Sequence, residues 1–104
     1  MTGRKMDLGA LQAQIAATFS DRDRTRGIDG TFRRLVEEIG EVAKDIRSGD
    51  RAALASELSD VLAWTLSVAV LCDVDLDQAA ARYAAGCPRC EASPCRCPMD
   101  AVPR

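Results

Sequence analysis

The fold class this sequence predicts is all-α: an antiparallel four-helix domain that assembles as an oligomeric bundle and ends in a short Cys-rich irregular tail. Three observations point there. Hydrophobic residues fill 47% of the 104 positions while aromatics fill only 4%; Ala, Leu and Val dominate, which suits packed helices better than strands. Apolar residues recur at steps of three and four along successive segments. The stretch from Val61 to Cys72 is apolar nearly all round, so it should be buried on several sides, and in so short a chain a second subunit should cover part of it. The length allows one domain near the lower end of what sustains its own core. We place a helical domain at 1–86 and a Cys/Pro-rich tail at 87–104.

The first helix is expected from about Asp7 to Phe19, with Leu8, Leu11, Ile15 and Phe19 on its apolar stripe. Ser20 to Gly30 reads as a polar, Arg-rich loop broken by Gly27 and Gly30. A second helix is expected from an N-cap at Thr31, with Phe32, Leu35, Val36, Ile39, Ala43 and Ile46 inward. Gly40 within it costs roughly 1 kcal/mol relative to Ala and suggests close approach by another helix or a ligand. The turn near Ser48-Gly49-Asp50 folds a third helix back, capped by Asp50. Asp75 and Gln78 have capping-box spacing for a fourth helix, with Leu76, Ala79, Ala80 and Tyr83 inward and Gly86 as its stop.

Charge and composition exclude several functions. The net charge is -2, so there is no basic footprint for a DNA or RNA polymer. There is no histidine, which removes His-activated nucleophiles, His metal ligands and di-iron sites built on Glu-x-x-His. Arg4 and Lys5 precede no uninterrupted apolar run, so no secretory signal is expected, and Val61 to Cys72 is too short to span a bilayer. A cytoplasmic protein with reduced cysteines and no membrane partner is the expectation.

The acids carry the chemistry. Glu38 with Glu41 and Glu57 with Asp60 are each three apart, so each pair leaves one side of a helix, and the turn between the two helices brings four carboxylates toward one point. The run Glu37-Glu38-Glu41 alone could equally be a solvated face, with Lys44 pairing Glu41 and Arg34 pairing Glu38. That reading fails for Glu57 and Asp60, because residues 52–81 contain no Lys or Arg. Two anions about 5 Å apart repel by roughly 3 kcal/mol at an effective dielectric near 20, so a cation from elsewhere should compensate. An all-oxygen donor set suits Mg²⁺ or Mn²⁺, with Ca²⁺ as an alternative; Mg²⁺ sites commonly include substrate phosphates, which points to a phosphorylated substrate. Trp64 shares the stripe of Glu57 and Asp60, either as a plane for a base or sugar to stack on or as plain core. In the tail, Cys87, Cys90, Cys95 and Cys97 could hold Zn²⁺, although the second pair is tightly spaced; a redox-sensitive disordered tail is the other reading. Cys72 reads as core.

Leu35-Val36-Glu37-Glu38-Ile39-Gly40-Glu41-Val42, a helical hairpin, then Glu57-Leu58-Ser59-Asp60-Val61-Leu62-Ala63-Trp64 together resemble the MazG-type nucleotide pyrophosphohydrolases of the all-α NTP pyrophosphatase superfamily. The resemblance covers the chain from about Leu8 to Tyr83. Either acidic segment alone is weak, but the two in this order are fairly specific. The resemblance implies hydrolysis of a ribo- or deoxyribonucleoside triphosphate to the monophosphate and pyrophosphate, as nucleotide-pool house-cleaning or in another role. It implies Glu38, Glu41, Glu57 and Asp60 as metal ligands, Glu37 positioning or deprotonating the attacking water, and a homodimer or homotetramer. Arg24, Arg26, Arg34, Lys44 and Arg82 are then candidates for the distal phosphates, each weighed against an ordinary solvated side chain. Arg33 to Gly40 resembles the Nudix box only superficially: Arg34 stands where that motif needs Glu, and the strands of that fold are missing. The competing class is a non-catalytic helical dimer that docks a partner through a zinc-bound Cys tail.

Overall fold

The computed structural model describes residues 6–100, and every described element is helical. Arg4 and Lys5 and the last four tail positions lie outside the described residues. Three α-helices, α1 (Leu8–Ser48), α2 (Arg51–Leu71) and α3 (Leu76–Ala80), are followed by a 3-10 turn, Ala81–Tyr83. This differs from the four helices expected.

The largest difference lies at 20–30. That segment is helix, not loop, and Thr31 is a buried interior position of α1 rather than its N-cap. Its polar residues satisfy one another along the helix. Arg24 pairs with Asp21 at 3.6 Å, Arg26 pairs with Asp23 at 2.6 Å, and the Thr25 hydroxyl donates to the Asp21 carbonyl at 3.1 Å. Polarity alone was therefore misleading, since Arg is a good helix former. The break falls at one residue. Gly27 has φ 86° and ψ 167°, in a region essentially closed to residues with a side chain, and it bends α1 into segments 8–26 and 28–48.

The remaining helix ends follow their caps. Asp7 accepts from the Ala10 N–H at 2.7 Å, Asp50 from Ala53 at 3.1 Å and Asp75 from Gln78 at 3.2 Å. Gly49, at φ 75°, ends α1 in the left-handed conformation, and its N–H reaches the Asp45 carbonyl at 3.1 Å. Only Gly49 and Asp50 separate α1 from α2, so the two run back antiparallel. Gln12 ties the far end: its side-chain NH₂ donates to the Val74 carbonyl at 2.7 Å, and its side-chain oxygen accepts from the Leu76 N–H at 3.0 Å.

The fourth expected helix shrinks to α3 and tightens into the 3-10 turn. Ala79, Ala80 and Tyr83 are exposed, because this Ala-rich stretch has too little apolar surface to dock along its length. Cys72 is exposed too, since it caps α2 just where the left-handed Asp73 turns the chain away. No neighbour approaches within 4 Å of a Cβ placed at Gly40, so the close approach expected there does not occur within this chain.

Among the described residues the buried apolar core is only Ile15, Leu66 and Ala69, accompanied by buried Asp23, Thr31 and Ser67. Much of the expected inward stripe is outward: Phe32 is 53% exposed, Ile39 52% and Ile46 63%, with Val36, Leu58 and Leu62 also exposed. The radius of gyration is 16.0 Å, against about 13 Å for a compact chain of this length. α2 taken whole has the length and composition of a membrane-crossing helix, longer than the apolar stretch alone suggested, yet it packs mainly along α1 and carries Glu57 and Asp60.

Gly27 has open space around it, so Gly27→Ala meets no clash and is penalised by its backbone alone. Urea denaturation of this variant is expected to show a loss of about 1–3 kcal/mol.

Candidate metal and nucleotide site

The hairpin turn sets the register of the acids. Glu38 lies eleven residues before Gly49 and Asp60 eleven after it, so both stand about 16 Å along their helices from the turn. Glu57 is one helical turn nearer the hairpin, on the side of Asp60. The structure brings one oxygen each of Glu38, Glu57 and Asp60 within 4.8 Å of one another. Glu41 stands level with Glu57, but its carboxylate lies outside that group and pairs with Lys44 at 3.4 Å. Glu37 is exposed and accepts from Arg34 Nη1 at 2.9 Å.

The group is short of positive charge. Arg34 Nη2 reaches Glu38 at 4.0 Å, and among the described residues no ion pair reaches Glu57 or Asp60. Glu57 Oε2 is buried without a hydrogen-bond partner. With both carboxylates ionised neither can donate, so a hydrogen bond between Glu57 and Glu38 needs a proton on one of them. That bond, then burial, then the charges of Glu38, Asp60 and Asp45, push Glu57 up from 4.5 to about 7. Asp45 was not among the expected contributors. A buried, orphaned carboxylate oxygen among all-oxygen donors fits a hard divalent cation such as Mg²⁺ or Mn²⁺.

A cleft of about 410 Å³ opens beside the acids. The 8–26 segment of α1 lines it with Phe19, Arg22, Asp23 and Arg26. The 28–48 segment adds Arg34 and Glu38, and α2 adds Asp60, Ala63, Trp64 and Ser67. Trp64 is thus half-buried at the cleft wall, not sealed in a core. Arg26 lies 4.9 Å and Arg34 5.5 Å from its ring centroid, both within cation–π range. Asp23, 3% exposed, anchors Arg26 from behind. The arrangement offers an acid cluster for a cation, guanidinium groups for an anion and an aromatic plane within one cleft.

Of the other basic candidates, Arg24 faces solvent beside Asp21, Lys44 pairs with Glu41, and Arg82 stacks on Tyr83 at 5.4 Å; none lines the cleft. Sequence reasoning overlooked Arg22, Asp23 and Ser67. Asp23 and Arg26 are spaced as a helical i,i+3 pair, a signal that reading 20–30 as a loop concealed.

Comparison with known proteins identifies a family. The model of the MazG nucleotide pyrophosphohydrolase domain matches residues 26–88, which contain both acidic segments and Trp64. A curated relative, the dATP/dGTP diphosphohydrolase of Cyanophage S-2L, is 41% identical over 69 residues, 66% of this chain and 62% of that protein. The chain therefore spans about three fifths of that relative's length.

The raised Glu57 carboxyl links stability to pH. Below about 4.5 it is protonated in both folded and unfolded chains, and the native surroundings favour that form; this contribution is lost as pH rises through about 7. Calorimetry in chelator should show Tm falling across this window. Glu57→Gln should flatten the fall, and Mg²⁺ or Mn²⁺ should reverse it for the wild type only.

Proposed function

This chain belongs to the MazG nucleotide pyrophosphohydrolase family, and from that premise we propose that it hydrolyses a nucleoside triphosphate to the monophosphate and pyrophosphate with Mg²⁺ or Mn²⁺. The observation that carries the reading is the meeting of Glu38, Glu57 and Asp60 at the edge of the cleft holding Trp64, Arg26 and Arg34. The three carboxylates would hold the ion, with Glu41, level with Glu57, as a fourth donor on leaving Lys44. When bound, the ion supplies charge neutralisation at the phosphates and an acidified water.

The chain's own residues do the rest. Arg26 and Arg34 bind phosphate oxygens through planar guanidinium donors, and Arg22 adds a third cation at the cleft. Asp23 holds Arg26 in place, so less conformational freedom is lost when phosphate binds. Trp64 offers its face to the base or sugar. Glu37, steadied by Arg34, is the group assigned to orient or deprotonate water. The Cyanophage S-2L relative bears a name that specifies dATP and dGTP, so purine deoxynucleotides are the first substrates to test, with nucleotide-pool house-cleaning as the role.

The outward apolar faces of α1 and α2 support assembly of two or more copies. Phe32, Val36, Ile39 and Ile46 on α1, with Leu58 and Leu62 on α2, are large apolar side chains left exposed, and a second copy would cover them.

Pyrophosphate release from nucleoside triphosphates is expected only with a divalent ion. Glu38→Gln and Asp60→Asn should lower it by about a thousandfold or more, since such an ion is worth several kcal/mol, while circular dichroism stays helical. Unchanged release in either variant overturns the site. In sedimentation equilibrium the wild type should run at twice the chain mass or more, and Ile39→Glu should shift it toward monomer.

A further inference from the structure

The tail beyond α3 has little else to hold its shape. Its last described hydrophobic residue, Met99, is fully exposed, and none of residues 84–100 is buried. Yet four thiols converge there. Cys87 Sγ lies 3.8 Å from Cys97 Sγ, and Cys90 Sγ lies 3.9 Å from Cys95 Sγ. All four sulfurs lie within 4.8 Å of one another. A disulfide needs about 2.05 Å, so none of these distances is one. A tetrahedron of sulfurs around Zn²⁺, at about 2.3 Å per bond, has edges of about 3.8 Å. The two short Sγ–Sγ distances equal that edge within about 0.1 Å.

The backbone is folded to this end. Gly86, at φ 113°, passes so close to the Ala92 carbonyl that a Cβ there would sit 2.7 Å from its oxygen. The Cys87 N–H donates to that same carbonyl at 3.0 Å, and the Glu91 N–H donates to the Cys87 carbonyl at 2.7 Å. These contacts close the first cysteine pair into a tight loop and fold the second pair over it, first cysteine against last.

The sulfurs are also supplied with donors suited to anions. The Arg89 N–H points at Cys87 Sγ at 3.4 Å, the Arg96 N–H at Cys90 Sγ at 3.3 Å, and the Cys97 N–H at Cys95 Sγ at 3.4 Å. Four adjacent sulfurs cannot all ionise without a cation to replace their protons. Arg89 and Arg96, each next to a cysteine in sequence, add two positive charges to a segment whose four thiolates around Zn²⁺ would be doubly negative.

We propose that Cys87, Cys90, Cys95 and Cys97 form a closed tetrathiolate site for one structural Zn²⁺, separate in place and in metal preference from the carboxylate cluster. The donor sets are opposites: soft thiolates select zinc, and carboxylate oxygens select Mg²⁺ or Mn²⁺. With no open ligand position, the ion here orders the tail and takes no part in hydrolysis. The inference stands whether or not the hydrolase reading does, because the family match ends at residue 88, before three of the four ligands.

The full-length chain, purified under reducing conditions, tests it by elemental analysis. One zinc per chain is expected in the wild type and in a Glu57→Gln/Asp60→Asn variant, and almost none in a Cys90→Ser/Cys95→Ser variant. Co²⁺ exchanged into the wild type should give the thiolate charge-transfer and visible d–d bands of a tetrahedral sulfur site. Absence of zinc from the wild type together with no thiolate–cobalt band, iron in its place, or zinc retained in the Cys90/Cys95 variant would each overturn the assignment.

Discussion

Like charge held at close range is the constraint around which this molecule is arranged. Glu38, Glu57 and Asp60 converge because Gly49 and Asp50 fold α2 back along α1 with Glu38 and Asp60 equidistant from the turn. A carboxylate cluster with one distant guanidinium opposes folding, and Glu57 expresses that opposition as a carboxyl reluctant to ionise. Such an arrangement is costly as scaffolding and useful as a receptor for a cation. The turn is therefore as much a part of the site as the acids.

The same tension shapes the interior. Among the described residues half of the buried positions are polar: Asp23, Thr31 and Ser67 beside Ile15, Leu66 and Ala69. Asp23 and Ser67 are at the cleft, where burial serves ligand geometry more than cohesion. The apolar side chains that would ordinarily compensate lie on the outer faces of α1 and α2. Those outer faces are the surface on which we propose that copies assemble. The tail meets the shortage of core differently, by gathering thiols in place of hydrocarbons.

The acidic pairs and two caps, Asp50 and Asp75, were legible because each depends on spacing within a few residues. The 20–26 segment was not, because its helicity rests on side chains that face one another across a turn, and Asp23 is buried only through a fold that local polarity does not encode. The exposure of Phe32, Ile39 and Ile46 was hidden for a related reason: periodicity reports which face is apolar, not whether anything covers it.

By itself, then, the order of residues determined an all-helical chain and two carboxylate pairs on consecutive helices, which follow from short-range periodicity, while the family came from the resemblance of the two acidic segments. Only the tertiary structure decided that Gly27 bends one long helix instead of breaking a loop, that Arg26 and Arg34 reach the Trp64 ring, and that Glu41 stays outside the group formed by Glu38, Glu57 and Asp60. Those outcomes depend on which side chains meet across the fold, and distance along the chain says little about distance in space.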